Sequence, residues 1–146
     1  MRCRFVDEAA QELGIEKIKT VGDAYMAVCG MPVQVPDHAE RMVRMAIRMV
    51  HIAREHAMEH QVAMKLRVGI NSGPVVAGVI GKSKYIYDLW GDTVNLASRM
   101  ESGGLPDMIQ VTRSVYERLE DEFVFESRGS IEVKGKGSVE AWLLKL

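Results

Sequence analysis

One amphipathic stretch narrows the possible folds more than any other feature of this chain. Ala39, Met42, Val43, Ala46, Ile47, Val50 and Ala53 recur at three- and four-residue spacing, the period of a helix with a single buried face. Asp37 stands before the stripe and Glu40 three residues further on, the spacing of a capping box. The helix is predicted to run to about Glu59. Its methionines read as core packing, since a flexible thioether fills irregular gaps. A helix apolar on one side has to bury that side against a second layer.

The flanking sequence offers strands. Phe5, Val6, Ala9, Ala10 and Leu13 fall at helical spacing before Gly14, which predicts a short helix. Ile15 to Thr20 and Ala24 to Cys29 are predicted as two strands of a hairpin turning at Gly22-Asp23. After the long helix, strands are predicted at Leu66 to Ile70, Pro74 to Ile80 and Tyr85 to Trp90. Asp92 is read as the cap of a helix from Thr93 to Glu101. Further on come a strand at Met108 to Val111 and a helix from about Thr112 to Leu119. Strands at Phe123 to Glu126, Ile131 to Val133 and Val139 to Leu144 follow. Helices and hairpins mix, so the class is α+β and not doubly wound.

With 146 residues, 47% apolar and 27% charged, the chain fits one domain over 1–146. A net charge of −1 gives no footprint for nucleic acid or an anionic membrane. Cys3 and Cys29 read as reduced thiols. No apolar run approaches a membrane span, and no signal peptide opens the chain. Together these read as a cytoplasmic segment, compatible with a membrane anchor elsewhere in a parent chain.

Two apparent motifs fail on inspection. Gly81-Lys82-Ser83 suggests a phosphate-binding loop, but the position of its first glycine holds Val76, and a strand follows instead of a helix. His56 and His60 share a helix face, yet no third ligand lies nearby, so a solvated pair is expected.

Three segments remain: Glu16-Lys17-Ile18-Lys19-Thr20-Val21-Gly22-Asp23-Ala24-Tyr25, Tyr87-Asp88-Leu89-Trp90-Gly91-Asp92-Thr93-Val94-Asn95-Leu96-Ala97-Ser98-Arg99-Met100, and Val133-Lys134-Gly135-Lys136-Gly137. Singly, each has an ordinary structural explanation. Asp23 is a turn residue, Asn95 and Arg99 are one polar helix face, and Lys134 and Lys136 are hairpin lysines. Together with Val68-Gly69-Ile70-Asn71-Ser72-Gly73-Pro74-Val75-Val76-Ala77-Gly78-Val79-Ile80-Gly81, they resemble the catalytic domain of class III adenylyl and guanylyl cyclases, from about Gln11 to the C-terminus.

That resemblance implies a ferredoxin-like βαββαβ core with additional C-terminal strands and helices. It implies attack of the ribose 3′-hydroxyl on the α-phosphorus, with pyrophosphate leaving, assisted by two Mg²⁺ or Mn²⁺ ions. Asp23 matches the second of two metal-binding aspartates. Lys19 and Asp88 match the adenine-reading pair: lysine donates to ring N1 and aspartate accepts from the exocyclic amine. Guanylyl enzymes carry a glutamate and typically a cysteine there, so ATP is the expected substrate and cyclic AMP the product. Asn95 matches the ribose-positioning residue. Arg99 matches the residue facing charge at the α-phosphate, a task suited to an always-charged fork. Lys134 matches the lysine of the terminal phosphates, with Lys136 as the alternative. The family's site lies between two subunits, and this chain carries residues of both halves, which implies a homodimer.

The resemblance departs at the start. Nothing before Gln11 matches the family's opening strand and its first metal aspartate, and Asp7 sits in a helical pattern. Weak metal binding and unpaired strand edges are the expected consequences. Two rival readings follow, a non-catalytic dimerisation or nucleotide-binding module and a guanylyl cyclase.

Overall fold

The computed structural model describes residues 3–31, 33–80 and 86–146, and the side chains of residues 3, 4, 21, 79, 80, 86 and 87 are left aside. The Gly81-Lys82-Ser83 segment and Tyr85 therefore lie outside the described residues. Helix α1 (Cys3–Leu13) leads into the hairpin β1 (Glu16–Val21) and β2 (Ala24–Val28). Val21 pairs with Ala24, which leaves Gly22-Asp23 as a two-residue turn. Gly22 has φ 60° while Asp23 keeps negative φ, the pattern of a II′ hairpin turn.

Helix α2 (His38–His60) buries Ala39, Val43, Met45, Ala46, Met49, Val50 and Ala53. Met42 and Ile47 of the expected stripe are partly buried at its margin, and Met45 and Met49 widen it. One side of α2 packs with Ile70, Ile109, Val111, Val115, Leu119, Trp142 and Leu144. Met45 and Met49 instead meet Val6, Ala10 and Ile15 of the N-terminal unit. One helix thus joins two cores, each fully buried valine, leucine, isoleucine or methionine contributing about 1.5–3 kcal/mol.

The expected capping box does not form. Asp37 caps no backbone N–H. Its carboxylate pairs with Arg41 at 3.0 Å, and Glu40 pairs with Arg44 at 2.8 Å. Each acid has an arginine four residues on, a geometry that competes directly with capping.

The remaining elements are β3 (Val68–Ile70), β4 (Val76–Ile80), β5 (Ile86–Trp90), α3 (Asp92–Ser102), β6 (Ile109–Thr112), α4 (Arg113–Leu119), β7 (Phe125–Val133) and β8 (Gly137–Leu144). Strands β3, β6, β8 and β7 form one sheet in that order, with β3 and β6 parallel and the other pairs antiparallel. The hairpins β1–β2 and β4–β5 stand as separate two-stranded sheets. Among the described residues, β2 and β3 each have a ladder on one edge only. The class is α+β, as expected. Two strands expected at Phe123 to Glu126 and Ile131 to Val133 are one strand, β7, interrupted by a register shift between Ser127 and Gly129. No helix among the described residues is long and apolar enough to cross a membrane.

Candidate active site

The residues singled out from the sequence fall on three elements and two turns. Lys19 is on β1, Asp23 on the β1–β2 turn, Asp88 on β5, Asn95 and Arg99 on α3, and Lys134 on the β7–β8 turn. Lys19 and Asp88 meet directly: Lys19 Nζ donates to Asp88 Oδ2 at 2.8 Å across 69 residues of sequence. The Asp88 side chain is 12% exposed and that of Lys19 37%. Asp88 Oδ1 also accepts from the Leu89 backbone N–H at 2.8 Å. The Lys19 ammonium, and after it the Leu89 amide, hold the Asp88 carboxyl below the usual carboxylate range.

A β-bulge aims Lys19 at this partner. Simple alternation would put Lys17 and Lys19 on one face of β1. The register shifts between them, so Lys17 pairs with Ala27 and Lys19 with the next residue back, Met26. The two lysines therefore face opposite sides. Lys17 lies 3.8 Å from Asp7 and over the Tyr25 ring at 5.3 Å, while Lys19 turns to β5. Asp7 also accepts from the Tyr25 hydroxyl at 3.0 Å. It is thus engaged with the side of the hairpin.

Helix α3 begins four residues after Asp88. Asp92 does not cap it: Gly91 occupies the cap position and Asp92 is the first helical residue. There its charge favours the helix N-terminus, and its Oδ2 accepts from Lys136 Nζ. That contact ties the β7–β8 turn to α3 and engages Lys136. Lys134, exposed on the same turn, makes no hydrogen bond or ion pair with a described residue. The side chains of Asp23, Asn95 and Arg99, all exposed, likewise make none. Asn95 and Arg99 stand one turn apart on α3, about 6 Å along the axis.

What places α3 was not foreseen from the pattern. The helix lies on Gly69 of β3: a Cβ there would stand 2.2 Å from Glu101 N and 2.6 Å from Ala97 O. Only a residue without a side chain permits that approach. A glycine inside the strand predicted at Leu66 to Ile70 is the signal that another backbone approaches closely there. At the helix start, Asn71 Nδ2 donates to Thr93 O at 3.1 Å, and Thr112 Oγ1 donates to Asn71 Oδ1 at 2.7 Å.

Among the described residues, no three His, Cys, Asp or Glu side chains cluster to enclose a metal ion. Asp23, exposed and unengaged at a hairpin tip, suits a sparser arrangement. Mg²⁺ is commonly held by one or two carboxylates, with waters and substrate phosphates supplying the rest. The rings of His56 and His60 lie 4.4 Å apart, tilted by 45°, and join no such cluster. Cys29 is a free thiol whose pKa burial pushes up.

Comparison with known proteins assigns the class. Residues 3–146 match the adenylate and guanylate cyclase catalytic domain. An adenylate cyclase of Mycobacterium tuberculosis is 48% identical over 138 residues, covering 94% of this chain and 31% of that protein. The guanylate cyclase domain of RhGC from Catenaria anguillulae, solved in complex with GTP, is 38% identical. It superposes with a TM-score of 0.92, over 97% of this chain and 78% of that one. The adenylyl cyclase CyaB from P. aeruginosa is 28% identical, with a TM-score of 0.89 over 98% and 78%. The chain belongs to the adenylyl/guanylyl cyclase catalytic-domain family. It spans about a third of the length of the mycobacterial adenylate cyclases it matches.

Proposed function

We propose that residues 1–146 act as one adenylyl cyclase domain, converting ATP to 3′,5′-cyclic AMP and pyrophosphate. The observation that carries the choice of ATP is the Lys19–Asp88 pair. A donor-only ammonium and an acceptor-only carboxylate, 2.8 Å apart, complement adenine, whose N1 accepts and whose amine donates. Guanine presents N1–H and O6 instead and would leave both side chains mispaired. Such buried mispairing discriminates strongly.

Arg99 sets a permanent cation at the α-phosphate, where negative charge grows during attack of the 3′-hydroxyl. Asn95, one turn away, orients the ribose by hydrogen bonding. Lys134, whose ammonium is unengaged within the described residues, takes the terminal phosphates. Lys136 is already bonded to Asp92 and holds the turn. Asp23 contributes one ligand to Mg²⁺ or Mn²⁺, ions that lower the pKa of the attacking hydroxyl and neutralise phosphate charge when bound. Because the chain carries both the metal-side aspartate and the base-reading, ribose and phosphate residues, we read the working unit as a homodimer with shared sites.

The test is cyclic nucleotide production with ATP or GTP and Mn²⁺. The chain would be assayed alone and mixed with a cyclase domain that carries both metal aspartates. Cyclic AMP from ATP supports the reading, and the double change Lys19→Glu with Asp88→Cys should shift preference toward GTP. Preference for GTP in the unaltered chain would establish a guanylyl cyclase instead. Nucleotide binding without turnover at any mixing ratio would establish a non-catalytic module, the reading favoured by the lone carboxylate at the hairpin tip.

A further inference from the structure

The C-terminal end of α3 is gripped by two side chains outside every motif considered above. Gln110 on β6 is fully buried. Its Nε2 donates to the Met100 carbonyl at 3.0 Å. Arg128 on β7 donates through Nη1 to the Gly103 carbonyl at 2.5 Å and to Gln110 Oε1 at 2.6 Å. Gly103 in turn donates its N–H to the Arg99 carbonyl at 2.9 Å. A chain of hydrogen bonds therefore runs from β7 through β6 to the backbone just after Arg99, and through Gly103 to the Arg99 carbonyl itself.

The strand is shaped to make this contact. Ser127 pairs with Trp142 and Gly129 with the adjacent Ala141, so Arg128 is the extra residue of a β-bulge. Gly129 has φ 78°, backbone that glycine adopts without strain. Bulges re-aim a side chain that alternation would send elsewhere. Here the re-aimed side chain is a guanidinium, and it meets the end of a helix. Helix C-termini expose unpaired carbonyls and partial negative charge, which a cation satisfies. Gln110 could not make its bond from solvent. A fully buried amide is retained where both its donor and its acceptor are matched, and here they are matched by Met100 and Arg128.

The geometry points to Arg128 and Gln110 as positioning residues for Arg99: they fix the axial position of the last turn of α3 and touch no substrate themselves. This rests on the reading of Arg99 as the residue that meets the α-phosphate. A displacement of about 1 Å at a reacting centre costs up to a hundredfold in rate, so a loosened last turn should act on turnover more than on binding.

The experiment measures kcat, KM for ATP and thermal midpoint with Mn²⁺, in the same mixed assay, for five forms: the unaltered chain, Arg128→Ala, Arg128→Lys, Arg99→Ala, and Arg99→Ala with Arg128→Ala. Arg128→Ala should lower kcat about tenfold with KM little changed. Arg128→Lys should recover part of the loss, because an ammonium can still reach the Gly103 carbonyl. In the Arg99→Ala background, Arg128→Ala should add little, the non-additivity of two residues acting as one unit. Equal losses in both backgrounds would reduce Arg128 to general support and overturn the proposal. So would an unchanged kcat for Arg128→Ala where Arg99→Ala is impaired, with the Arg99 reading left standing. Full activity of Arg99→Ala would overturn that reading itself. Amide hydrogen exchange over residues 99–104 provides a readout independent of turnover. It should quicken in Arg128→Ala, and unchanged exchange there would sink the anchoring whatever the kinetics.

Discussion

Helices α2 and α3 are held in the molecule by different proportions of apolar burial and directed hydrogen bonding. Helix α2 spans 23 residues and buries seven of them, six in the two cores. Near its start it makes ion pairs with its own next turn, and three polar contacts reach other elements: His38 with Ser72 Oγ at 2.6 Å, Arg41 with the Leu13 carbonyl at 3.3 Å and Arg48 with Glu12 at 2.7 Å. Helix α3 spans 11 residues and buries one, Met100. It is fixed by backbone contact on Gly69 and by bonds from Asn71, Gln110 and Arg128 to individual carbonyls. Apolar burial decides which face turns inward, but it is non-directional. A hydrogen bond to one named carbonyl sets position along the axis as well. The difference suits the two roles: α2 supports, while α3 carries the two side chains read as meeting ribose and phosphate.

Changing Gly69 to alanine tests this contrast most severely. The added methyl would collide with backbone atoms of α3 at 2.2–2.7 Å, and backbone cannot rotate away as a side chain tip can. The helix must move. Overpacking of this kind destabilises by about 1–3 kcal/mol, and a shift near 1 Å predicts a loss of turnover of up to about a hundredfold. Thermal melting and cyclase assays on the same preparation would show both effects. Normal turnover in a folded Gly69→Ala protein would mean that the seating of α3 does not control the chemistry.

The opposite result is expected for α2. Met45 is 2% exposed and packs against Val6, Ala10 and Ile15. Truncation to alanine should cost about 2–5 kcal/mol, read as a lower urea midpoint, with kcat per folded molecule unchanged. A selective fall in kcat at constant folded fraction would blur the contrast, because α2 would then position as well as support.

The same division explains what could be read in advance. The stripe from Ala39 to Ala53 announces α2 because burial leaves a period in the sequence. The hairpin around Gly22-Asp23 is legible because a two-residue turn demands particular residue types. The bulges at Ile18 and Arg128 are not legible, since one extra residue leaves the composition of a strand unchanged. Without the first bulge, Lys17 and Lys19 look equivalent; with it, only Lys19 reaches Asp88. The second makes one strand look like two. Asp37 and Asp92 look like caps by position, but each has a cation within reach that binds it instead. Gln110 and Arg128 carry no motif at all, because their partners are carbonyls, which every residue possesses.

The smallest expected effect lies on the exposed side of α2. Arg44 pairs with Glu40 at 2.8 Å, both on the outer helix face. It also sits over the Phe123 ring at 5.6 Å. Glu40→Ala removes only the ion pair, worth about 0.3–0.5 kcal/mol between such neighbours. Arg44→Ala removes the ring contact too, worth about 0.5–1 kcal/mol at an exposed site. Arg44→Ala should therefore destabilise more than Glu40→Ala in matched urea titrations. The pair's share should fade in 1 M salt, where charges are screened over about 3 Å. Neither change should alter kcat. Arg128 is the informative counterpart, also an arginine near the surface, yet bonded to the carbonyl of another element's last turn. If Arg44→Ala lowered turnover as much as Arg128→Ala, the separation between a helix that supports and a helix that positions would not hold.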